Sequence, residues 1–339
     1  MDRLSFFIHF QPSRQRACRS LVFVVLLLCV LASRADADAA LLLAEPYDRP
    51  GGFNPVAHAG HAGVYLTRVC AATSTVLRRC RAGEAGVVIS RYDRVGELDW
   101  VAIPLMPYLY AVERAADVPT FATPDVVLTL RDNYRRAQLR DIVPDAPSAE
   151  PPRTRWTQLV GAAYDRQIIA FSVTTTPEQD DALIAEMNGG ENRRRFNVFV
   201  RNCADFARDL LSRYYPSAMR SSFIADMGFT TPKQIAKALV RHGTRRPDAG
   251  LTAYLIPQIP GNRPESRRAR GVFESLLKTK KYSVPLAILQ PWVPVGLAAG
   301  YVATGRFNPH RHATRVLTPI ELERHGLVAV DEHALAYPE

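Results

Sequence analysis

Cys203 and His61 are the two residues of this chain whose settings best suit covalent chemistry. Cys203 stands in the run Phe196-Asn197-Val198-Phe199-Val200-Arg201-Asn202-Cys203-Ala204-Asp205-Phe206-Ala207. The spacing predicts a short strand over 196–200, a tight Arg-Asn connection, and a helix over 203–215. That helix carries Phe206, Ala207, Leu210 and Leu211 on one face. A cysteine that opens a helix meets its positive end and unpaired amides, which stabilise a thiolate and can hold an oxyanion when the thiolate attacks a carbonyl. A small buried hydrophobe at a helix start would fit the same position.

A thiolate nucleophile is served by a histidine base. His325 and His333 fall in a polar tail, and His242 ends a helix, where its charge suits the dipole. His310 and His312 form an isolated His-x-His in a basic loop. His61 enters a strand in Gly60-His61-Ala62-Gly63-Val64-Tyr65-Leu66, where small neighbours leave room beside its ring, although a lone histidine in such a place is more often structural; His58 falls in the loop before it. His58, His61, Cys70 and Cys80 would also make four zinc ligands. Their spacing lacks the Cys-x2-Cys element of such sites, and no metal is expected.

A histidine opening a small-residue strand, followed much later by Asn202-Cys203-Ala204-Asp205-Phe206 at a helix start, resembles the circularly permuted NlpC-type papain-like superfamily. That group includes lecithin:retinol acyltransferase-like enzymes and bacterial YiiX-like proteins. The placement of Thr176-Pro177-Glu178-Gln179 and Asn188 is also similar, and the resemblance covers roughly residues 56–242. It implies an α+β fold in which an antiparallel sheet packs against a helix that starts with the nucleophile. It implies Cys203 as nucleophile and His61 as its base. The third or supporting group is left among Asn202, Ser90, Asp93 and Glu84. No cofactor is implied. The substrate would be a peptide, an isopeptide or a lipid acyl group. Asp205-Phe206 departs from the Glu-His-Phe wording of the acyltransferase branch.

The elements that must position these residues are legible in part. Val64–Val69, Gly86–Ile89 and Trp100–Leu105 read as strands, and residues 41–55 read as an irregular lead-in. Thr123-Pro124 and Thr176-Pro177 cap helices, the second stopping at Gly189-Gly190, with the β-branched run Ile168–Thr174 between them. Thr231-Pro232 caps another helix that ends near His242-Gly243. A catalytic domain is thus expected over 41–245. The remainder, 246–339, reads as an arginine-rich linker (263–270) and an apolar extension. Residues 283–305 are almost uncharged, follow Lys278-Thr279-Lys280-Lys281, and contain three prolines, which disfavour a regular spanning helix.

The amino terminus reads as an export signal over 1–37. Arg14, Arg16 and Arg19 precede the apolar run Leu21–Ala32, and Ala35-Asp36-Ala37 and Ala37-Asp38-Ala39 are cleavage candidates. Export would remove Cys18 and Cys29. Cys70 and Cys80 then flank one short turn and are expected to form a disulfide, with Cys203 left free.

Composition bounds the rest. The chain has 339 residues, 47% of them hydrophobic, which is enough for a sizeable core. Its net charge of +10 favours anionic partners such as a membrane surface or a cell-wall polymer. No nucleic-acid recognition motif is present. The expectation is an exported hydrolase or acyltransferase of the periplasm or cell envelope, acting on an amide or ester through an acyl-enzyme. A non-catalytic envelope protein that binds anionic lipid or wall polymer is the alternative.

Overall fold

The structure, a computed structural model, describes residues 39–47, 58–93, 95, 97–145, 155–193, 196–198, 200–219, 229–303 and 306–327. Residues 1–37, with the expected export signal, lie outside the described residues, as does His333.

The chain is a mixed α+β fold built on one seven-stranded sheet of order β6-β5-β2-β1-β7-β8-β9. Its strands are β1 (Ala39–Ala44), β2 (His61–Leu66), β5 (Val87–Ser90), β6 (Val101–Pro104), β7 (Ile168–Val173), β8 (Thr252–Ile256) and β9 (Arg315–Val316). All neighbours pair antiparallel except β8 and β9. β3 (Val69–Thr73) and β4 (Val76–Arg79) form a separate hairpin bridged by the Cys70–Cys80 disulfide, and Cys203 is free. Each of these bonding states agrees with the spacing argument.

Two corrections concern the limits of the domain. The expected lead-in holds β1, which is buried along its whole length and lies between β2 and β7. Its run Ala-Ala-Leu-Leu-Leu-Ala is apolar on both faces because helices cover the sheet on both sides, so no two-residue alternation marks it. The sheet also continues past residue 245, because β8 pairs with β7 over five residues. Residues 252–256 and 315–316 therefore belong to the same sheet as β1.

Register assigns the faces. Ala40, Leu42 and Ala44 point with Tyr65 into a core shared with α1 (Leu105–Tyr110), α2 (Pro124–Gln138) and α3 (Ala162–Asp165). Leu41, Leu43, Ala62 and Val64 point the other way. They meet α4 (Pro177–Gly189), α5 (Cys203–Tyr214) and α6 (Pro232–Arg245). Helices α2, α4 and α6 start as expected, each on a threonine cap followed by proline. The predicted strand over 196–200 is absent among the residues described there. A single bridge between Asn197 and Arg201 closes a tight loop instead.

Beyond β8 come α7 (Val272–Lys278), α8 (Lys280–Leu289) and α9 (Trp292–Ala303), then α10 (Pro319–His325). Residues 283–303 of the apolar stretch thus lie in two short helices and their connection, with Pro285 inside α8. Among the described residues, no helix is long and apolar enough to cross a membrane.

Candidate active site

Cys203 is the first residue of α5, and the capping of that helix fixes its place. The Asn202 side-chain oxygen accepts from the backbone amides of Ala204 (2.7 Å) and Asp205 (3.0 Å). The Asp205 carboxylate in turn accepts from the Asn202 amide at 3.1 Å, completing a capping box. Asn202 also donates to the carbonyls of Val198 and Thr230, which ties the helix start to its flanking loops. Ala204, Ala207, Leu210 and Leu211 bury the other end of the link against β2 and its neighbours.

His61 is the first residue of β2, and the turn that delivers it needs Gly60. That residue has φ +81°, and a Cβ there would sit 2.2 Å from the Ala44 carbonyl oxygen. The His61 ring lies on the Gly63–Tyr65 face of the sheet, opposite the one that α5 covers. Both groups nevertheless reach one cavity of about 230 Å³ beyond the end of β2, because each stands at the end of its element. Cys203 packs against the buried cluster that holds Ala62, the residue after His61, and the Ala62 backbone acts to lower the thiol pKa.

Ser90 orients the imidazole. Its hydroxyl donates to the Ala62 carbonyl (2.7 Å) and lies 2.8 Å from His61 Nε2. A hydroxyl has one proton, and here it is committed to the carbonyl. Nε2 must therefore carry the ring hydrogen and donate to Ser90. Nδ1 is left with the lone pair, the form a general base requires. The Tyr92 ring stacks on the imidazole, with centroids 4.8 Å apart. The ring bonds to Ser90 and makes no hydrogen bond to Cys203.

The remaining candidates disperse. Asp93 lines the cavity and pairs with Arg155 at 2.5 Å. Asn202 lines it too, as the cap. Glu84 is drawn away to Arg78 and the Arg81 amide beyond the β3–β4 hairpin, and it does not line the cavity. Cys70 and Cys80 are bonded to each other, so the four-ligand zinc arrangement does not form. His58 sits in the turn before β2 and lines no part of the cavity. His310 bonds Glu45 at 2.6 Å, His312 stacks on Phe307, and His242 packs against Tyr215.

The electrostatics correct one expectation. Burial pushes the Cys203 thiol above its ordinary value, and this outweighs the amides of Ala62 and Ala204 and the positive charge of Arg166. The helix end is also less available than expected, since Asn202 already occupies two of its amides. Burial, assisted by Arg166, lowers His61 to about 3. At neutral pH the pair is thus a thiol and a neutral imidazole, not a preformed ion pair.

Sequence reasoning missed Arg166, Tyr47, Tyr92 and Arg155, which complete the cavity wall. Nothing local separates Arg166 from the chain's many other arginines; only its position between α3 and β7 brings it to the site.

No protein-family model matches the chain, and no curated protein matches it. Among solved structures the chain is similar to the Type VI secretion system effector TseH, with 13% identity and a TM-score of 0.31, covering 67% of this chain and 95% of that one.

Proposed function

We propose that the protein is an exported cysteine hydrolase or acyltransferase of the permuted papain-like kind, acting on an amide or ester carbonyl. The observation that carries this reading is a free cysteine at a helix start that shares one cavity with a histidine whose tautomer is set by Ser90. Cys203 attacks the carbonyl as His61 Nδ1 takes the thiol proton, giving a tetrahedral intermediate and then an acyl-enzyme. The imidazolium returns the proton to the leaving group, and water or a second nucleophile releases the acyl group. The Cys203 amide, which precedes those taken up by Asn202, serves the oxyanion. Ser90 is the third member, holding Nε2–H through the cycle. Because thiol and imidazole are both neutral at rest, proton transfer belongs to the step in which substrate fills the cavity. A panel of peptide amides, isopeptides and acyl esters tests the reading. Turnover should be lost in Cys203→Ala and strongly reduced in His61→Ala. Turnover that survives Cys203→Ala would sink it.

Export through residues 1–37 remains part of the proposal. Of the two cleavage sites, the one after Ala37 leaves β1 whole, whereas cleavage after Ala39 removes the residue that pairs with Leu66 and Val173. The mature chain should therefore begin at Asp38.

Contact with an anionic membrane surface is a second reading that the structure favours at one place. Ile288, Leu289 and Trp292 on α8 and α9 are 76%, 75% and 80% exposed. Lys280 and Arg306 flank them, both exposed. Helices of 10 and 12 residues are about 15–18 Å long, against a hydrocarbon core of about 30 Å, so they suit the interface rather than a span. Sedimentation with phosphatidylglycerol vesicles should be lost in Trp292→Glu with Ile288→Glu. Equal sedimentation of that variant would contradict the reading.

A further inference from the structure

Arg166 opens onto the cavity that holds Cys203 and His61, and it is 7% exposed. Its Nε has no hydrogen-bond partner, and no carboxylate among the described residues pairs with its guanidinium. Among the described residues, the neighbouring charges are matched to one another. Arg91 pairs with Asp99, Arg155 with Asp93, and Asp165 is shared by Arg131 and Arg263. What faces Arg166 is the Tyr47 ring, 4.8 Å from its guanidinium carbon. A desolvated guanidinium without a counter-ion destabilises a fold unless a ligand brings the anion. Cys203, held as a neutral thiol, does not supply that charge.

We infer that Arg166 is the recognition group for an anionic substrate, binding a carboxylate that lies beside the scissile carbonyl, with Tyr47 as the face against which the guanidinium is held. A planar guanidinium suits a carboxylate because two parallel N–H groups meet its two oxygens. This inference rests on the Cys203 reading above and adds the substrate class: an acyl donor or acceptor bearing a carboxylate, as in an acidic peptide.

Alkylation by iodoacetate and iodoacetamide tests it, since the two reagents differ only in carrying a carboxylate or an amide. In both reactions the Cys203 sulfur forms a bond to carbon, the carbon–iodine bond breaks, iodide leaves and the thiol proton passes to His61. The native protein should react faster with iodoacetate. The iodoacetate-to-iodoacetamide rate ratio should fall about 10- to 100-fold in Arg166→Gln, the loss expected for a hydrogen bond between charged groups. Arg166→Met, apolar and of similar volume, gives the same readout if the glutamine variant does not fold. A native ratio below one, or a ratio unchanged by both variants, overturns the inference while leaving the nucleophile reading intact. If neither reagent modifies Cys203, the nucleophile reading fails, and the anion site is then read by binding alone. In Cys203→Ala protein, N-acetylglycine should shift the cavity resonances in NMR spectra and N-acetylglycinamide should not. Equal binding of the two, or binding of neither, overturns the inference.

Discussion

Ser90→Ala removes one oxygen that does two things, so its consequences separate the catalytic account from a purely structural one. In the resting site Ser90 accepts a hydrogen bond from neutral His61 at 2.8 Å and donates one to the Ala62 carbonyl at 2.7 Å. A neutral hydrogen bond contributes about 1 kcal/mol net, and one to a charged group about 1.5–3 kcal/mol. When His61 takes the thiol proton, its bond to Ser90 changes from the first kind to the second. The difference, about 0.5–2 kcal/mol, is present only on the way to the transition state. At about 1.36 kcal/mol per factor of ten, it corresponds to a loss of rate of about 2- to 30-fold, centred near tenfold. The assay is single-turnover alkylation of Cys203 by iodoacetamide, followed by intact mass and compared with His61→Ala. Thermal unfolding of the same samples should show a stability loss of about 1–2 kcal/mol from the two bonds. A variant that loses this stability but alkylates within twofold of the native rate would refute the role given to Ser90.

Other perturbations follow from the same geometry. Folded His61 stays neutral down to about pH 3, whereas the unfolded chain binds its proton below pH 6.5. Stability from this residue is therefore whole above pH 6.5 and declines as the pH falls. The decline from pH 6.5 to 5 should reach at most about 2 kcal/mol in chemical denaturation and should vanish in His61→Asn. Glu84 and Asp145, each held at about 2 by arginine hydrogen bonds, give up their contributions only below that window. Reduction of Cys70–Cys80, which lie 10 residues apart, should cost about 2–3 kcal/mol by loop-closure entropy, read as a lower melting temperature in dithiothreitol. Gly60→Ala places a methyl group against the Ala44 carbonyl at a positive φ and should destabilise the β1–β2 pair while displacing His61. A melting temperature equal to that of the native protein would contradict this.

The helices that begin on Thr-Pro were legible because capping is local chemistry, complete within four residues. The disulfide was legible for a similar reason: Cys70 and Cys80 flank a single turn. β1 was not, because a strand buried on both faces carries no alternation, and this one follows directly on the alanine-rich end of the expected export signal. Cys203 and His61 were expected as a pair through the resemblance of their two motifs, and both line one cavity. Their protonation could not be read, since the thiol's elevation comes from its burial once the chain is folded. Ser90 was one of four candidates, and only the register of β5 against β2 places it, rather than Glu84, beside the ring. Arg166 left no trace in the sequence, because a solvated arginine and a buried one read alike until the sheet brings them somewhere.

The claim that Cys203 and His61 act together is tested most directly by acylation with an activated ester. The protein is mixed with a p-nitrophenyl ester, quenched in acid, and its peptides are mapped by mass. One acyl group should appear on the peptide containing Cys203, be absent in Cys203→Ala, and form far more slowly in His61→Ala. Acylation at the native rate in His61→Ala, or an adduct carried on any other residue, would contradict the account.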